Sequence, residues 1–290
     1  MRLHTINTGY FKLDGGAMFG VVPKSIWNKL NPADENNMST WALRCLLIED
    51  GNRLILIDNG IGEKQDAKFF NHYYLHGADT LDRSLQKYGF GRADITDVFL
   101  THLHFDHCGG SIKKEGEMLV PAFPNAIYWS NALHWNWAIR PNEREKASFL
   151  TENIIPIQES GRLKFVEVPV NDKTNFEGPL PTVSFTDNIS IRFVNGHTES
   201  MMLPQICYKG RTVVYMADLL PSAAHIPLPY VMAYDMFPLT TLKEKRSFLS
   251  EAVAGDYLLF FEHDPLIECC SLQVTEKGIR QNQLFQLNEL

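Results

Sequence analysis

Apolar residues in this chain gather in short runs, each broken by a polar or glycine-bearing turn. Residues 1 to 11 alternate through Leu3, Thr5 and Asn7, which predicts a first strand. Leu43 to Glu49 and Arg53 to Asp58 flank Asp50-Gly51, a hairpin signal. Thr80 to Tyr88 reads as a helix with Leu81, Leu85 and Tyr88 on one face, capped by Asp79 or Thr80 and ended by Gly89. A β-rich run, Asp97 to Leu100, follows it. Pro124 to Ser130 predicts a turn and a short strand, and Asn131 to Ala138 a helix. Glu143 to Ile155 predicts another helix, stopped by Pro156. Further strands are expected at Val183 to Phe185, Ile189 to Val194, Arg211 to Met216 and Tyr257 to Phe261. Between the last two, Thr241 and Glu244 form a capping-box pattern for a helix to Ala254, ended by Gly255.

The strand–helix–strand order predicts a layered α/β fold. One domain over residues 1–290 is the simplest division, with two β-rich halves inside it. Residues 1–40 would supply a strand and a lid-like loop. That loop, Gly15 to Pro23 and on to Trp27, is unusually apolar. It reads either as a cap over the core or as a lid lending Met18 and Phe19 to a substrate pocket.

Composition narrows the function. Apolar residues make up 44% and charged residues 21% of the chain, both globular values. The formal charge is −7 and no Lys/Arg block is present, which argues against a nucleic-acid partner. No apolar run reaches the length of a membrane span. The first residues show no charged segment leading into an apolar one, so a cytoplasmic protein is expected. Five cysteines, with only Cys269 and Cys270 adjacent, make no disulfide framework.

The candidate chemistry lies at strand ends. Directly after Asp97 to Leu100 comes Thr101-His102-Leu103-His104-Phe105-Asp106-His107-Cys108-Gly109-Gly110. His197, Asp218 and His263 each follow another predicted strand. Strand ends along one sheet edge are where ligands converge in layered α/β folds. His102 and His104, two apart, can point the same way, while Asp106 and His107 follow a turn. Two ions are therefore expected: one offered His102, His104 and His197, the other Asp106, His107 and His263, with Asp218 between them. Imidazoles and carboxylates without a thiolate set suit zinc, with iron or manganese as alternatives. Three protein ligands per ion leave room for water, the mark of a catalytic site. Cys108 reads as packing, and His4, His72, His76 and His134 as ordinary histidines. Asp58, at a strand end before Asn59-Gly60, reads as turn chemistry or as support for a metal ligand.

His102 to His107 resembles the signature of the metallo-β-lactamase-fold hydrolases. Asp58 with Gly60, Gly196-His197-Thr198, Asp218 and His263 resemble that family's other motifs, in its order. The resemblance spans roughly residues 40 to 265. It implies an αββα sandwich of two mixed β-sheets with helices outside and a binuclear site. Within the family, His263-Asp264-Pro265 and the stretch Gly16 to Pro23 look like the N-acyl-homoserine lactone lactonases and their organophosphate-hydrolase relatives. Three positions depart from the pattern. Pro221 stands where many lactonases carry a Tyr, Ser200 where Gly is common, and Asn59 where Thr is commoner.

The expected activity is hydrolysis of a small ester-like substrate, a lactone first, by a metal-bound hydroxide, with Asp106 and Asp218 as the catalytic carboxylates. Asp218 would shuttle a proton to the leaving group. Met18, Phe19, Trp27 and Trp135 would line an acyl pocket, and His225, Tyr230 or Tyr234 would replace the missing Tyr. The rivals are phosphotriester or other phosphoester hydrolysis at the same site, and a non-catalytic metal-binding or carrier protein of the same fold. A homodimer is an admissible assembly.

Overall fold

Strand β1 runs over Arg2–Asp14, and Asp14 then accepts a hydrogen bond from Ala17 N at 2.8 Å to start helix α1 (Gly15–Phe19). The computed structural model describes residues 1–169 and 180–290. After α1 come α2 (Lys24–Trp27), β2 (Met38–Asp50), β3 (Arg53–Ile57), α3 (Ala67–Asn71) and α4 (Leu81–Lys87). Next are β4 (Asp97–Phe99), α5 (Phe105–Cys108), β5 (Ile112–Glu115), β6 (Met118–Pro121) and β7 (Ile127–Ser130). Helices α6 (Ala132–Ala138) and α7 (Thr151–Glu159) precede β8 (Leu163–Phe165). The rest are β9 (Thr182–Ser184), β10 (Ile189–Val194), β11 (Met201–Tyr208), β12 (Arg211–Tyr215), α8 (Pro238–Ala254), β13 (Leu258–Phe260), β14 (Cys269–Thr275) and β15 (Gly278–Phe285).

The chain divides into two units. The first comprises Met1–Tyr10 and Leu43–Glu167. Its sheet has the order β1-β2-β3-β4-β7-β8. The β2–β3 hairpin is antiparallel, whereas β3, β4, β7 and β8 pair in parallel. Parallel neighbours need crossovers, and α4 and α6 occur in two of them. Leu47, Leu56, Val98, Leu100 and Tyr128 are buried in this unit's core, with Leu81 and Leu85 of α4 in the same cluster. Thr80 caps α4 through its side chain, as its position predicts.

The second unit comprises Phe11–Ala42 and Val168–Leu290. Its sheet runs β15-β14-β13-β12-β11-β10-β9, antiparallel except for the β12–β13 pair. That parallel pair is bridged by α8, whose Phe248, Leu249 and Ala252 are buried. Two mixed sheets with helices agree with the expected fold class. No helix among the described residues is long and apolar enough to cross a membrane.

Two predicted helices differ. Residues 143–148 are turns, and the helix is Thr151–Glu159 with Pro156 inside it. Asn142 Oδ1 accepts from Arg144 N at 2.9 Å and Glu145 N at 3.1 Å, a local alternative to helical bonding. Helix α8 begins at Pro238, which at N1 loses no helical hydrogen bond. Thr241 therefore lies inside the helix, and Glu244 is not part of a capping box.

Candidate metal centre

In the first unit, β3 and β4 end side by side, with Asp58 N donating to Phe99 O at 2.9 Å. The fully buried Asp58 carboxylate accepts from Thr101 N at 2.8 Å and Thr101 Oγ1 at 2.7 Å. It also accepts from His107 Nδ1 at 3.1 Å. Its two readings are thus one: a strand-end turn residue that also holds a ring of the histidine cluster.

Thr101 gives its hydroxyl proton to Asp58, so its oxygen accepts from His102 Nδ1 at 3.1 Å. His104 donates Nε2–H to Glu145 at 3.0 Å. Glu145 is held in turn by Trp137 Nε1 at 2.7 Å. These partners assign the ring protons. They leave His102 Nε2 and His104 Nδ1, both acceptors, 3.1 Å apart. On α5, His107 Nε2 lies 3.8 Å from Asp106 Oδ2. Leu103 N donates to His134 Nε2 at 2.8 Å, so His134 anchors the backbone between the two rings. Gly109 and Gly110 follow because the backbone of residues 59–61 presses on them. A Cβ on Gly109 would lie 2.1 Å from Ile61 O.

In the second unit, His197, Asp218 and His263 follow β10, β12 and β13. His197 Nδ1 donates to Asp235 at 2.9 Å, and its Nε2 is 3.1 Å from Asp218 Oδ2. His263 Nδ1 donates to Ala42 O at 2.8 Å, and its Nε2 is 3.3 Å from Asp218 Oδ1. Ala217, just before Asp218, takes a left-handed φ of 40°, and Ser200 takes 57°. Ser200 thus occupies, at some strain, a conformation that glycine adopts freely, which explains why Gly suits that position.

Each unit offers ligand-type atoms that suit a cation. With the outer nitrogens protonated, His102 with His104, His107 with Asp106, and Asp218 with His197 and His263 bring acceptor atoms within 3.1 to 3.8 Å. Acceptors approach this closely when a proton or a metal ion neutralises them. Imidazoles whose second nitrogen donates to a carboxylate or carbonyl are the usual supported metal ligands. Glu145 and Asp235, which give two of these supports, lie in stretches with no ligand-like spacing and have no local sequence signal.

The residues expected to contact substrate fare differently. Met18, Phe19 and Trp27 are 0 to 2% exposed. Phe19 stacks on Trp27 at 5.5 Å and on His225 at 4.7 Å. This is the packing of a cap. His225 accepts from Ser222 Oγ at 2.8 Å and donates to Met18 O at 2.9 Å. Both its nitrogens are occupied, and burial pushes its pKa down to about 3. His225 therefore has no N–H for a substrate, a correction to its expected role. Tyr230 is half-buried and edge-on to Phe19 at 6.4 Å, whereas Tyr234 is exposed. Trp135 is buried in the first unit's core. Cys108 donates Sγ–H to Leu103 O, and burial pushes the thiol up to about 12, consistent with packing.

Residues 42–263 match the family model of the metallo-beta-lactamase superfamily. N-acyl homoserine lactonase AiiA of Bacillus thuringiensis subsp. kurstaki is 28% identical over 117 residues, which is 37% of this chain and 45% of that protein. The match thus spans about half the length of that relative. A crystal structure of a probable metal-dependent hydrolase from Staphylococcus aureus is similar at a TM-score of 0.84 and 28% identity, covering 98% of this chain and 95% of that one. The structure of AidC, described as a dizinc quorum-quenching lactonase in complex with a product, has a TM-score of 0.76 and 23% identity, covering 98% and 95%.

Proposed function

Because the chain belongs to the metallo-beta-lactamase superfamily, we propose that it is a binuclear metal-dependent hydrolase of an ester-like bond, most readily a lactone. The observation that carries this reading is the set of imidazoles and carboxylates whose ligand-type atoms crowd together while their outer nitrogens are tied down. The proposed ligands are His102, His104, Asp106 and His107 of the first unit and His197, Asp218 and His263 of the second, the set expected from the sequence. Zinc suits these donors, and iron or manganese are the alternatives. The name of the lactonase relative supports the substrate class.

Two divalent ions held by these residues would supply Lewis acidity and a water of lowered pKa. The chain does the rest. Asp58, Glu145 and Asp235 fix the tautomers of His107, His104 and His197. Asp218, beside His197 and His263, would pass a proton to the departing alkoxide. Asp106 completes the acidic side of the first unit's cluster beside His107. Tyr230 and Tyr234 are the hydroxyl donors left for the substrate carbonyl once His225 is excluded.

The test is turnover of an N-acyl homoserine lactone panel by metal-replete protein. Chelation should abolish it, and zinc or manganese should restore it. Hydrolysis of a paraoxon-like triester without lactone turnover would transfer the reading to phosphotriesters. Metal content near zero after gentle purification would favour a non-catalytic member of the fold.

A further inference from the structure

Helix α8 places two buried charged residues side by side, Glu244 and Lys245, 1% and 0% exposed. Among the described residues neither is ion-paired to a side chain of opposite charge, and the Asp235 carboxylate acts on both through space. Each is spent on backbone. Glu244 accepts from Asn195 N at 2.6 Å and from Gly196 N at 3.0 Å, the two residues before His197. Lys245 Nζ donates to Pro227 O at 3.0 Å, Leu228 O at 3.3 Å and Tyr230 O at 2.8 Å. A buried charge is retained only where hydrogen bonds compensate its desolvation. Five bonds to main chain offset part of that cost here, while burial holds the lysine down to about 7 and the glutamate up to about 8.

The two gripped segments belong to the candidate site. Asn195–Gly196 sets the backbone from which His197 projects. Pro227 to Tyr230 lies in the middle of the segment that starts at Asp218 and ends at Asp235, the carboxylate under His197. Its far end is already tied, with Met236 N donating to His197 O at 3.0 Å and Phe237 N to Gly196 O at 2.8 Å. Asp235 therefore lies at a tied end of the segment, and Lys245 shapes the stretch before it, which carries Tyr230.

We propose that Glu244 and Lys245 are paired positioning residues of the active site: Glu244 sets the metal ligand His197, and Lys245 sets the substrate-facing segment from Pro227 to Tyr230. This deepens the hydrolase reading above and rests on it. The two tasks are separable, because the residues hold different backbone.

The test compares Glu244→Gln and Lys245→Met, with folding checked by thermal melting. A glutamine offers one acceptor where two N–H groups converge. Glu244→Gln should weaken one of the two zinc ions about tenfold in chelator competition, as loss of a ligand's support does. Its amide exchange at Tyr230 and Val231 should match the parent. Lys245→Met should leave zinc affinity unchanged, speed exchange at those two amides about tenfold, and raise the lactone KM more than it lowers kcat. If either variant shifts zinc affinity and loop exchange together, or shifts neither, the proposal is overturned. Should Lys245→Met fail to fold, Lys245→Arg carries the test: its planar fork suits three converging carbonyls poorly, so the same readouts should move partway. Zinc affinity and exchange need no substrate. A protein that hydrolyses no lactone yet shows this separation would keep the positioning pair and lose the lactonase reading.

Discussion

Glu145 holds the Nε2–H of His104 at 3.0 Å, and so turns the other ring nitrogen toward Nε2 of His102, 3.1 Å away. A residue 41 positions along the chain thereby decides which nitrogen of His104 would be offered to a metal. Removing it frees the ring to rotate and to change tautomer. Glu145→Ala should lower metal affinity by about 10- to 100-fold, measured by chelator competition, as loss of an outer partner does elsewhere. Unchanged affinity would mean that packing alone orients His104.

Asp58 serves three donors from a buried position. Asn in its place keeps one oxygen acceptor and turns an NH2 group toward Thr101 or His107. Asp58→Asn should therefore destabilise the metal-free protein by about 1–3 kcal/mol. Urea unfolding in the presence of chelator measures this without the metal contribution.

Ser200 holds a φ of 57°, where a Cβ is unfavourable. Ser200→Gly should stabilise the protein by about 1 kcal/mol, less whatever flexibility glycine adds to the unfolded chain. The urea midpoint should rise with no change in slope. A fall would show that the serine side chain contributes more than the strain costs.

His225 is held neutral, its pKa pushed down to about 3 by burial. Its unfolded value is near the usual 6.5 for histidine. The stability it confers is thus complete above about pH 6.5 and is lost as pH falls from there toward 3, because the unfolded chain takes up the proton first. His225→Gln should lower stability at pH 7 by removing one of the bonds to Ser222 Oγ and Met18 O. It should also flatten the decline between pH 6.5 and 4.5. Parallel pH profiles for the two proteins would refute this assignment.

Much of the fold was readable because period and punctuation agreed. Asp50-Gly51 between apolar runs gave the β2–β3 hairpin, and Thr80 with Gly89 bounded α4. The hairpin of β14 and β15 was not foreseen. Its second strand carries Arg280, Gln281, Asn282 and Gln283 and is largely exposed, so backbone pairing holds it without an apolar alternation. The helix expected over residues 143–155 failed because Asn142 bonds its own neighbours, and Glu145 is drawn to His104 and Trp137.

For the site, sequence alone determined the kind of chemistry. Imidazoles and carboxylates stand at strand ends because a strand's last residue has a fixed direction, and that direction is encoded in a local run of apolar positions. Tertiary structure decided the rest. Which ring nitrogen each histidine offers depends on Glu145, Asp235, Ala42 and Thr101, and apart from Thr101 these partners lie far away in the chain. The fate of Phe19, Trp27 and His225 was likewise tertiary. Apolar spacing marks a side chain that will be buried, but only packing determines whether it is buried against a ligand or, as here, against other rings.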